Sequence, residues 1–158
     1  MIHATLCFLL RGDPPPEILL GRKKTGLGAG KINGIGGKVE PGETPVSAAA
    51  REVREEIGVE VALADLEYVC HITFDFPAKP EWDQIVHVYL ARHWRGNPRE
   101  TVEMAPMWCA LADIPFAQMW QDDQYWLPRV LAGEKVRAEF TFADDNETIA
   151  AMREADWA

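Results

Sequence analysis

The sequence predicts an α+β domain with one mixed β-sheet sandwiched between about two α-helices. Two observations predict this fold class. Short runs rich in β-branched and aromatic residues recur along the whole chain, and one segment with a helical apolar period follows a glycine-rich stretch. Because the chain has 158 residues and contains no internal repeat or linker, we expect residues 1–158 to form a single domain.

The first half of the chain predicts a hairpin, a loop and a helix. TLCFLL and ILLGRKK are typical strands on either side of RGDPPPE, whose prolines indicate a surface turn. TGLGAGKINGIGGKVEPGE has seven glycines in 19 residues, so we expect no regular element there but a loop folded closely around a ligand. Thr44 and Pro45 then predict a helix N-terminus, and Gly58 predicts its C-terminal cap.

The second half predicts more strands and one more helix. EYVCHITFDF and QIVHVYLARHW have strand composition, the segment 104–110 predicts a short strand, and KVRAEFTF alternates as a strand does. Between the last two, a helix is expected from about Gln124 to Leu131. The final NETIAAMREADWA is ambiguous, because its alanines favour a helix whereas its position favours completing the sheet.

Composition limits the function classes. The net charge of −9 argues against a nucleic-acid groove, which needs a basic stripe, but a small polyanion can bind through a bridging divalent metal. ATLCFLL lacks a basic leader and a cleavage pattern, and no apolar run approaches the length of a membrane helix. The three cysteines have no metal-ligand spacing, so we expect reduced thiols in a cytoplasmic protein that does not contact a membrane.

One stretch of the sequence has charged residues at fixed spacing. From Gly37 to Val59 it reads GKVEPGETPVSAAAREVREEIGV, which fits G-x5-E-x7-R-E-U-x-E-E-x-G-U, where U is a bulky aliphatic residue. At about 100° per residue an apolar stripe packs on the sheet and three glutamates fall on the opposite side. The stripe consists of Val46, Ala50, Val53 and Ile57, and the glutamates are Glu52, Glu55 and Glu56.

Three carboxylates close together on a helix repel each other. A solvated acidic face is the ordinary interpretation, but Glu43 and the glycine-rich loop match the same pattern and favour a site. Mg²⁺ or Mn²⁺ prefers oxygen ligands and accepts phosphate oxygens in its coordination shell, so we expect a divalent cation here. Arg51 flanks the cluster and is placed to orient one of the glutamates.

This pattern resembles the Nudix box, which implies the Nudix fold and metal-assisted attack of water on a nucleoside diphosphate linked to another group. LLGRKK, GLGAGKINGIGGKVEPGE and IPFAQMWQDDQYWLP further resemble the mammalian-type 8-oxo-dGTP diphosphatases of the MutT branch. That resemblance covers nearly the whole chain and is weakest in the PPP turn and the last dozen residues. It implies hydrolysis of oxidised purine nucleoside triphosphates to monophosphate and pyrophosphate, which removes damaged nucleotides from the pool.

The resemblance also implies roles for particular residues. The metal ligands would be the carbonyl of Gly36 and the carboxylates of Glu52, Glu55, Glu56 and Glu103, with Arg51 as a further catalytic residue. Asn33 would hydrogen-bond the base, Thr5 would line the pocket, and Lys23 would meet the sugar or phosphate end. Trp120 would stack on the purine, and Asp122 and Asp123 would face its hydrogen-bonding edge. The substrate loop would also contribute Ile35, Gly36, Gly37 and Lys38.

Several alternatives stay open. Leu27, Ile32 and Ile35 stand where the vertebrate-type enzymes have aromatic residues, which leaves the base preference undecided. Another Nudix substrate, such as an unmodified nucleoside triphosphate, a dinucleoside polyphosphate or ADP-ribose, is the second candidate. A non-catalytic nucleotide sensor is the third, and the intact box argues against it. We expect a small nucleotide as partner and a monomer, with a dimer as the alternative.

Further side chains have ordinary roles in the sequence. Phe74 and Phe76 are two residues apart on one strand face, so they are core residues by default, with a pocket wall as the alternative. The histidines at 71, 87 and 93 lack ligand spacing and are expected to be structural. Asp122 and Asp123 are adjacent like charges among aromatic residues, and two carboxyls held close in a half-apolar pocket share a proton readily.

Overall fold

A computed structural model describes residues 1–14 and 16–157. These residues form eight strands and two α-helices, together with four short 3-10 turns. The strands are β1 (Ile2–Arg11), β2 (Glu17–Lys23), β3 (Ile32–Asn33), β4 (Leu66–Asp75), β5 (Gln84–Ala91), β6 (Met104–Ala110), β7 (Val136–Phe142) and β8 (Ile149–Ala155). The helices are α1 (Pro45–Ile57) and α2 (Asp123–Leu131).

The strands form one mixed sheet in the order β3-β2-β1-β5-β4-β7-β8, with β6 paired to β2. β1 runs parallel to β5, and β4 runs parallel to β7, whereas the other pairs are antiparallel. The predicted hairpin of β1 and β2 exists at its turn end, where Leu10 pairs with Ile18 and Arg11 with Glu17. Beyond that point β2 leaves β1 and pairs with β6 along its whole length.

The glycine-rich loop fills the space where β2 leaves β1. The amide of Thr5 donates to the carbonyl of Gly37 at 2.8 Å, and the amide of Cys7 donates to the carbonyl of Ile35 at 2.6 Å. This loop is mostly irregular, as predicted, but it contains the two-residue strand β3, where no regular element was expected. The edge of β1 is thereby paired, which satisfies its backbone groups and fixes the loop against the sheet.

Helix α1 begins and ends where its capping residues predict. The Thr44 hydroxyl accepts a hydrogen bond from the Ser47 amide at 3.3 Å, and Pro45 occupies the first turn. Gly58 adopts a left-handed φ of 72°, and its amide donates to the carbonyl of Arg54 at 3.0 Å. Local residue types are sufficient for both ends, which explains why the sequence predicted them.

The two faces of the sheet each bury a separate apolar cluster. Val53 and Ile57 of α1 are fully buried on one face, and Val46 and Ala50 pack against the same cluster. On the other face, α2 inserts Trp126 and Leu127 among strand residues. The sheet therefore lies between two helices, which confirms the predicted fold class.

The C-terminal segment is a strand. β8 pairs antiparallel with β7, from Arg137 opposite Ala155 to Phe142 opposite Ile149. Most of its side chains are exposed, so the pairing depends on backbone hydrogen bonds rather than on buried area. Within the described ranges, no helix is long and apolar enough to cross a membrane.

A cluster of histidines occupies the face of the sheet beside α1. The two ring nitrogens of His87 lie 3.0 Å from His3 Nδ1 and 3.0 Å from the Tyr68 hydroxyl. Burial, followed by the neighbouring His71 and His3, lowers the pKa of His87 to about 4. His71 packs edge-on against His87, and burial also lowers its pKa. His71 and His87 are therefore packed among side chains of the sheet.

Candidate active site

The glutamates of α1 lie in three different environments. Glu56 is buried with 5% of its surface exposed, whereas the Glu52 and Glu55 side chains are 13% and 52% exposed. The prediction placed all three opposite the apolar stripe, which is wrong for Glu56. At about 100° per residue Glu56 lies next to Ala49, at the edge of the buried stripe, and α1 turns this edge towards the glycine-rich loop.

Glu56 is a buried carboxyl group without sufficient hydrogen bonds. Burial raises its pKa to about 8, with further contributions from Glu52 and Glu103, while Lys23 and the amide of Gly36 act in the opposite direction. Its Oε2 atom has no hydrogen-bond partner among the residues that the structure describes. A buried carboxylate in this state needs a proton or a cation, so the chemistry of this position fits a metal ligand.

Arg51 connects the glutamates of α1 to the glycine-rich loop. Its guanidinium donates to both carboxylate oxygens of Glu43 at 2.8 and 2.9 Å, to Glu52 at 2.8 Å and to Glu55 at 3.0 Å. It also donates to the carbonyl of Lys38 at 3.0 Å. The hydrogen bonds from Arg51 lower the pKa of Glu43 to about 2. Arg51 therefore holds these glutamates in place and ties the helix to the loop.

Glycine is required where the loop passes α1 and β1. A Cβ atom at Gly36 would lie 1.7 Å from the carbonyl oxygen of Thr5, and one at Gly37 would lie 2.6 Å from the carboxylate of Glu52. At Gly36 the Cβ would meet rigid backbone, which excludes any side chain, whereas at Gly37 it would displace the flexible end of Glu52. The loop backbone therefore approaches the glutamates directly. This approach brings the Gly36 carbonyl, a predicted metal ligand, to the same part of the molecule as the carboxylates.

Glu103 precedes β6 and has an exposed side chain. Its charge raises the pKa of both Glu52 and Glu56, so Glu103 and the three glutamates of α1 form one acidic group. In residues 1–14 and 16–157, however, no three acidic, histidine or cysteine side chains converge closely enough to hold an ion in their present positions. Arg51 occupies oxygens of Glu52 and Glu55, so these would have to exchange the guanidinium for a cation.

A cavity of about 410 Å³ adjoins the glutamates through the glycine-rich loop. Its walls contain all but one of the residues predicted to bind substrate. They are Thr5, Lys23, Asn33, Gly36, Gly37, Lys38, Trp120, Asp122 and Asp123. The three loop residues Gly36, Gly37 and Lys38 also adjoin Glu56, Glu52 and Arg51, so the cavity and the acidic group share one border.

Ile35 differs from its prediction. Its side chain is fully buried in the cluster beneath α1 and does not line the cavity. The reason is the pairing of the loop with β1: Ile35 lies opposite Cys7, which points into the same cluster. Alternation along this extended segment then directs Ile35 inward. Any contact of Ile35 with a ligand is limited to its backbone.

Aromatic side chains form much of the cavity wall. Phe76 and Phe142 are stacked with ring centroids 4.5 Å apart and an angle of 3°, and Trp120 contacts both rings edge-on. Phe74 also lines the cavity, so Phe74 and Phe76 form part of the pocket wall, while Phe76 is buried and Phe74 packs against the core, as the default prediction had it. Phe142 and Trp82 were not predicted from the sequence. The alternation of KVRAEFTF was a usable signal for Phe142, whereas Trp82 ends a short 3-10 turn between β4 and β5 that no periodic pattern announces.

Asp122 and Asp123 are buried, with 2% of each residue exposed. The indole N–H of Trp126 donates to Asp122 Oδ2 at 2.8 Å, while Oδ1 has no partner within the part of the chain that the structure describes. Burial raises the pKa of Asp122 to about 6. Burial and the adjacent Asp122 raise the pKa of Asp123 well above its ordinary value. The buried pair therefore binds a proton more readily than exposed aspartates do.

The Trp120 ring is held from outside the cavity. The Lys31 ammonium lies 5.0 Å from the ring centroid and 2.9 Å from a carboxylate oxygen of Glu147. The glycine-rich loop approaches the indole edge at Gly28, whose φ is +79° and where a Cβ would lie 3.0 Å from Nε1. These contacts leave the cavity side of the ring available for a flat ligand.

The fold, the glutamates of α1 and the adjoining cavity together indicate a Nudix hydrolase, and comparisons with known proteins agree. The NUDIX domain model matches residues 2–130, and the chain belongs to this family of hydrolases. It is 45% identical over 153 residues to the oxidized purine nucleoside triphosphate hydrolase of Mus musculus, covering 96% of this chain and 94% of that protein. The protein of the same name from Danio rerio is 44% identical over 142 residues, covering 90% and 89%.

Solved structures support the fold. A MutT protein from Bacillus halodurans superposes with a TM-score of 0.83 over 98% of this chain and 97% of that chain, at 20% identity. A MutT NUDIX hydrolase from Burkholderia pseudomallei superposes with a TM-score of 0.63 over 72% of this chain and 86% of that chain, at 29% identity. The architecture around the acidic helix is therefore shared with known Nudix proteins.

Proposed function

We propose that this Nudix hydrolase converts oxidised purine nucleoside triphosphates, with 8-oxo-dGTP as the reference substrate, to the monophosphate and pyrophosphate. The observation that carries the proposal is one cavity with two chemically different borders. Gly36 and Gly37 join it to the glutamates of α1, and the buried pair Asp122 and Asp123 faces it elsewhere. The names of the mouse and zebrafish relatives support the same substrate class.

The aspartate pair supplies base recognition in this proposal. 8-Oxoguanine has an N7–H donor that guanine lacks, and an ionised carboxylate accepts a hydrogen bond from it. A protonated carboxyl donates to a base carbonyl, so one shared proton lets the pair meet both needs. Asn33 lines the same cavity and adds an amide, with its Oδ1 held by the Gly34 amide at 2.9 Å. Trp120 provides the flat surface on which the purine stacks.

The acidic group supplies the chemistry of hydrolysis. Glu52, Glu55, Glu56, Glu103 and the Gly36 carbonyl would hold divalent cations, either Mg²⁺ or Mn²⁺. Bound cations of this kind neutralise phosphate charge and lower the pKa of a coordinated water. Buried Glu56 fits such a ligand, because its Oε2 atom has no hydrogen-bond partner among the described residues. Arg51 acts as a positioning residue, and Lys23 lies in the cavity wall where it can meet a phosphate or the sugar.

A substrate panel tests the proposal. We expect kcat/KM for 8-oxo-dGTP and 2-hydroxy-dATP to exceed that for dGTP and dATP, and we expect chelation of divalent metal to abolish turnover. ADP-ribose and a dinucleoside polyphosphate belong in the panel because they represent the second candidate. If oxidised bases give no advantage in kcat/KM, or if one of the latter substrates is preferred, the proposed specificity is wrong.

Variants at the aspartate pair test base recognition separately. Asp122→Asn and Asp123→Asn should reduce the ratio of kcat/KM for oxidised over normal purine, while half-saturation by Mg²⁺ stays unchanged. Asp65→Asn is a matched control, because Asp65 is exposed in a turn remote from the cavity walls. An unaltered preference in both cavity variants would contradict the role of the pair.

The proposal extends to partners and location. We infer a monomer that acts on free nucleotides in a reducing, cytoplasmic compartment, in keeping with free thiols at Cys7, Cys70 and Cys109. Light scattering of the purified protein checks the oligomeric state. Excess duplex DNA should leave the hydrolysis rate unchanged, because the chain carries a net charge of −9.

A further inference from the structure

The loop between β4 and β5 is fixed by its own hydrogen bonds. Asp83 Oδ1 accepts from the amide of Phe76 at 2.7 Å, and the amide of Lys79 donates to the carbonyl of Phe76 at 2.9 Å. The amide of Trp82 donates to the carbonyl of Lys79 at 2.9 Å, and the Gln84 side chain donates to the carbonyl of Trp82 at 3.2 Å. Trp82 therefore has a defined place at the cavity.

The Trp82 ring is held on one side and lines the cavity on another. The Lys79 ammonium lies 4.1 Å from the ring centroid, and Lys79 does not line the cavity. Phe76 meets Trp82 at a centroid distance of 5.6 Å and an angle of 88°. Trp120 also contacts Phe76, at 6.4 Å, so the two tryptophans flank one phenylalanine. Each tryptophan lines the cavity, and each has a lysine ammonium over its ring.

We propose that Trp82 is a second base-contacting wall of this site and that Lys79 is its positioning residue. This inference rests on the proposed function, because it takes the occupant of the cavity to be a purine nucleotide. A purine presents a broad flat surface, and contact with an aromatic side chain favours it by dispersion and stacking. Trp82 thereby adds to the affinity for the base and makes no contact with the phosphates.

A purely structural role for Trp82 predicts different behaviour. Covering Phe76 requires only an apolar side chain, and leucine supplies one. Base contact requires a flat ring, which phenylalanine partly supplies and leucine does not. The base-contacting role acts through KM, since substrate and transition state share the same base, and it disappears when the substrate has no base.

The test compares a purine substrate with one that lacks the base. Trp82→Leu, Trp82→Phe and Lys79→Met are assayed with 8-oxo-dGTP, dGTP and 2-deoxyribose 5-triphosphate. We expect Trp82→Leu to raise KM for both purine substrates by about tenfold, because the base loses its stacking on the ring, with kcat within about twofold. The abasic substrate should show unchanged kcat/KM. Trp82→Phe should recover most of the loss, and Lys79→Met should raise KM by a smaller factor.

Trp94→Leu is the matched control. Trp94 stacks on Trp108 at a centroid distance of 5.9 Å and does not line the cavity, so its loss should leave KM unchanged. Thermal unfolding of each variant checks the fold, and the comparison of purine with abasic substrate in Lys79→Met carries the test if Trp82→Leu does not fold. An unchanged KM for purines, or an equal loss for the abasic substrate, overturns the proposal.

Failure of the proposed function is visible separately. It appears as a lack of preference for oxidised over normal purines in the unmutated protein. The role of Trp82 is then read from equilibrium binding of dGMP and of 2-deoxyribose 5-phosphate. Weaker binding of dGMP alone supports the second wall, whereas unchanged binding of dGMP excludes it.

Discussion

Replacing Glu43 by Gln should destabilise the protein at neutral pH. Both carboxylate oxygens of Glu43 accept hydrogen bonds from Arg51, and the two side chains are 16% and 14% exposed. Those bonds lower the pKa of Glu43 from 4.5 to about 2, a difference of about 2.5 pKa units. At 1.36 kcal/mol per pKa unit the upper limit is about 3 kcal/mol. Because an exposed ion pair contributes at most ~1 kcal/mol and this one is partly buried, we expect a loss of about 2 kcal/mol.

The pH dependence of this loss follows from the direction of the shift. A carboxyl whose pKa is lowered by folding stabilises the protein fully above about pH 4.5, and this stabilisation disappears as the pH falls through about 2. At pH 3 about one of the 2.5 pKa units still contributes, so the difference between the unmutated protein and the Glu43→Gln variant should shrink to under half its neutral value. Urea unfolding without divalent metal, at pH 7 and in steps down to pH 3, measures it.

Glu40→Gln is the control for Glu43→Gln. The Glu40 side chain is 65% exposed and lies 3.8 Å from Arg51, so this change should cost less than about 0.5 kcal/mol. A loss for Glu43→Gln that is no larger than that of the control would refute the reasoning. A loss that stays constant from pH 7 to pH 3 would do the same, because it would assign the effect to packing rather than to charge.

Three further changes have expected outcomes. Glu56→Gln should reduce kcat by at least about 100-fold, because it removes a proposed metal ligand. It should preserve the free energy of unfolding at pH 7, because burial raises the pKa of Glu56 to about 8 and a neutral amide suits that position. Undiminished turnover would contradict the metal role of Glu56. Gly37→Ala places a Cβ 2.6 Å from the Glu52 carboxylate, so turnover should fall about tenfold with a stability change under about 1 kcal/mol. Activity equal to that of the unmutated protein would show that Glu52 moves aside without consequence. Folding lowers the pKa of His87 to about 4, so His87 stabilises the protein above about pH 6.5 and this contribution, up to about 3 kcal/mol, is lost as the pH falls through about 4. The difference in unfolding free energy between the unmutated protein and His87→Gln should therefore shrink as the pH falls from about 6.5 to about 4. A difference that stays constant over these pH values would contradict the expected contribution of His87.

Features that depend on neighbouring residues in the chain were predictable. The N-terminus of α1 follows from Thr44 and Pro45, and its C-terminus follows from Gly58, because capping involves residues within one turn. Strand β6 has the predicted bounds, and α2 begins one residue before the predicted start. The glutamates of α1 were recognisable by spacing alone, since they lie on one helix.

Features that depend on distant contacts were not predictable. The C-terminal segment became β8 because β7 offered an unpaired edge, which outweighed the helix preference of its alanines. Ile35 turned into the core because its loop pairs with β1, and Glu56 became buried because α1 packs beside that loop. In each case the partner lies outside the local pattern, so that pattern does not contain the information.

The sequence by itself determined the acidic helix, its caps and the presence of an aspartate pair among aromatic residues. The tertiary structure alone decided that the pair is buried, which raises the pKa of Asp123, and that Arg51 binds Glu43, Glu52 and Glu55 together. It also brought Trp82 to the cavity from the 3-10 turn between β4 and β5. Burial and convergence decide these properties, because desolvation and hydrogen bonding depend on which segments fold against each other rather than on their order in the chain.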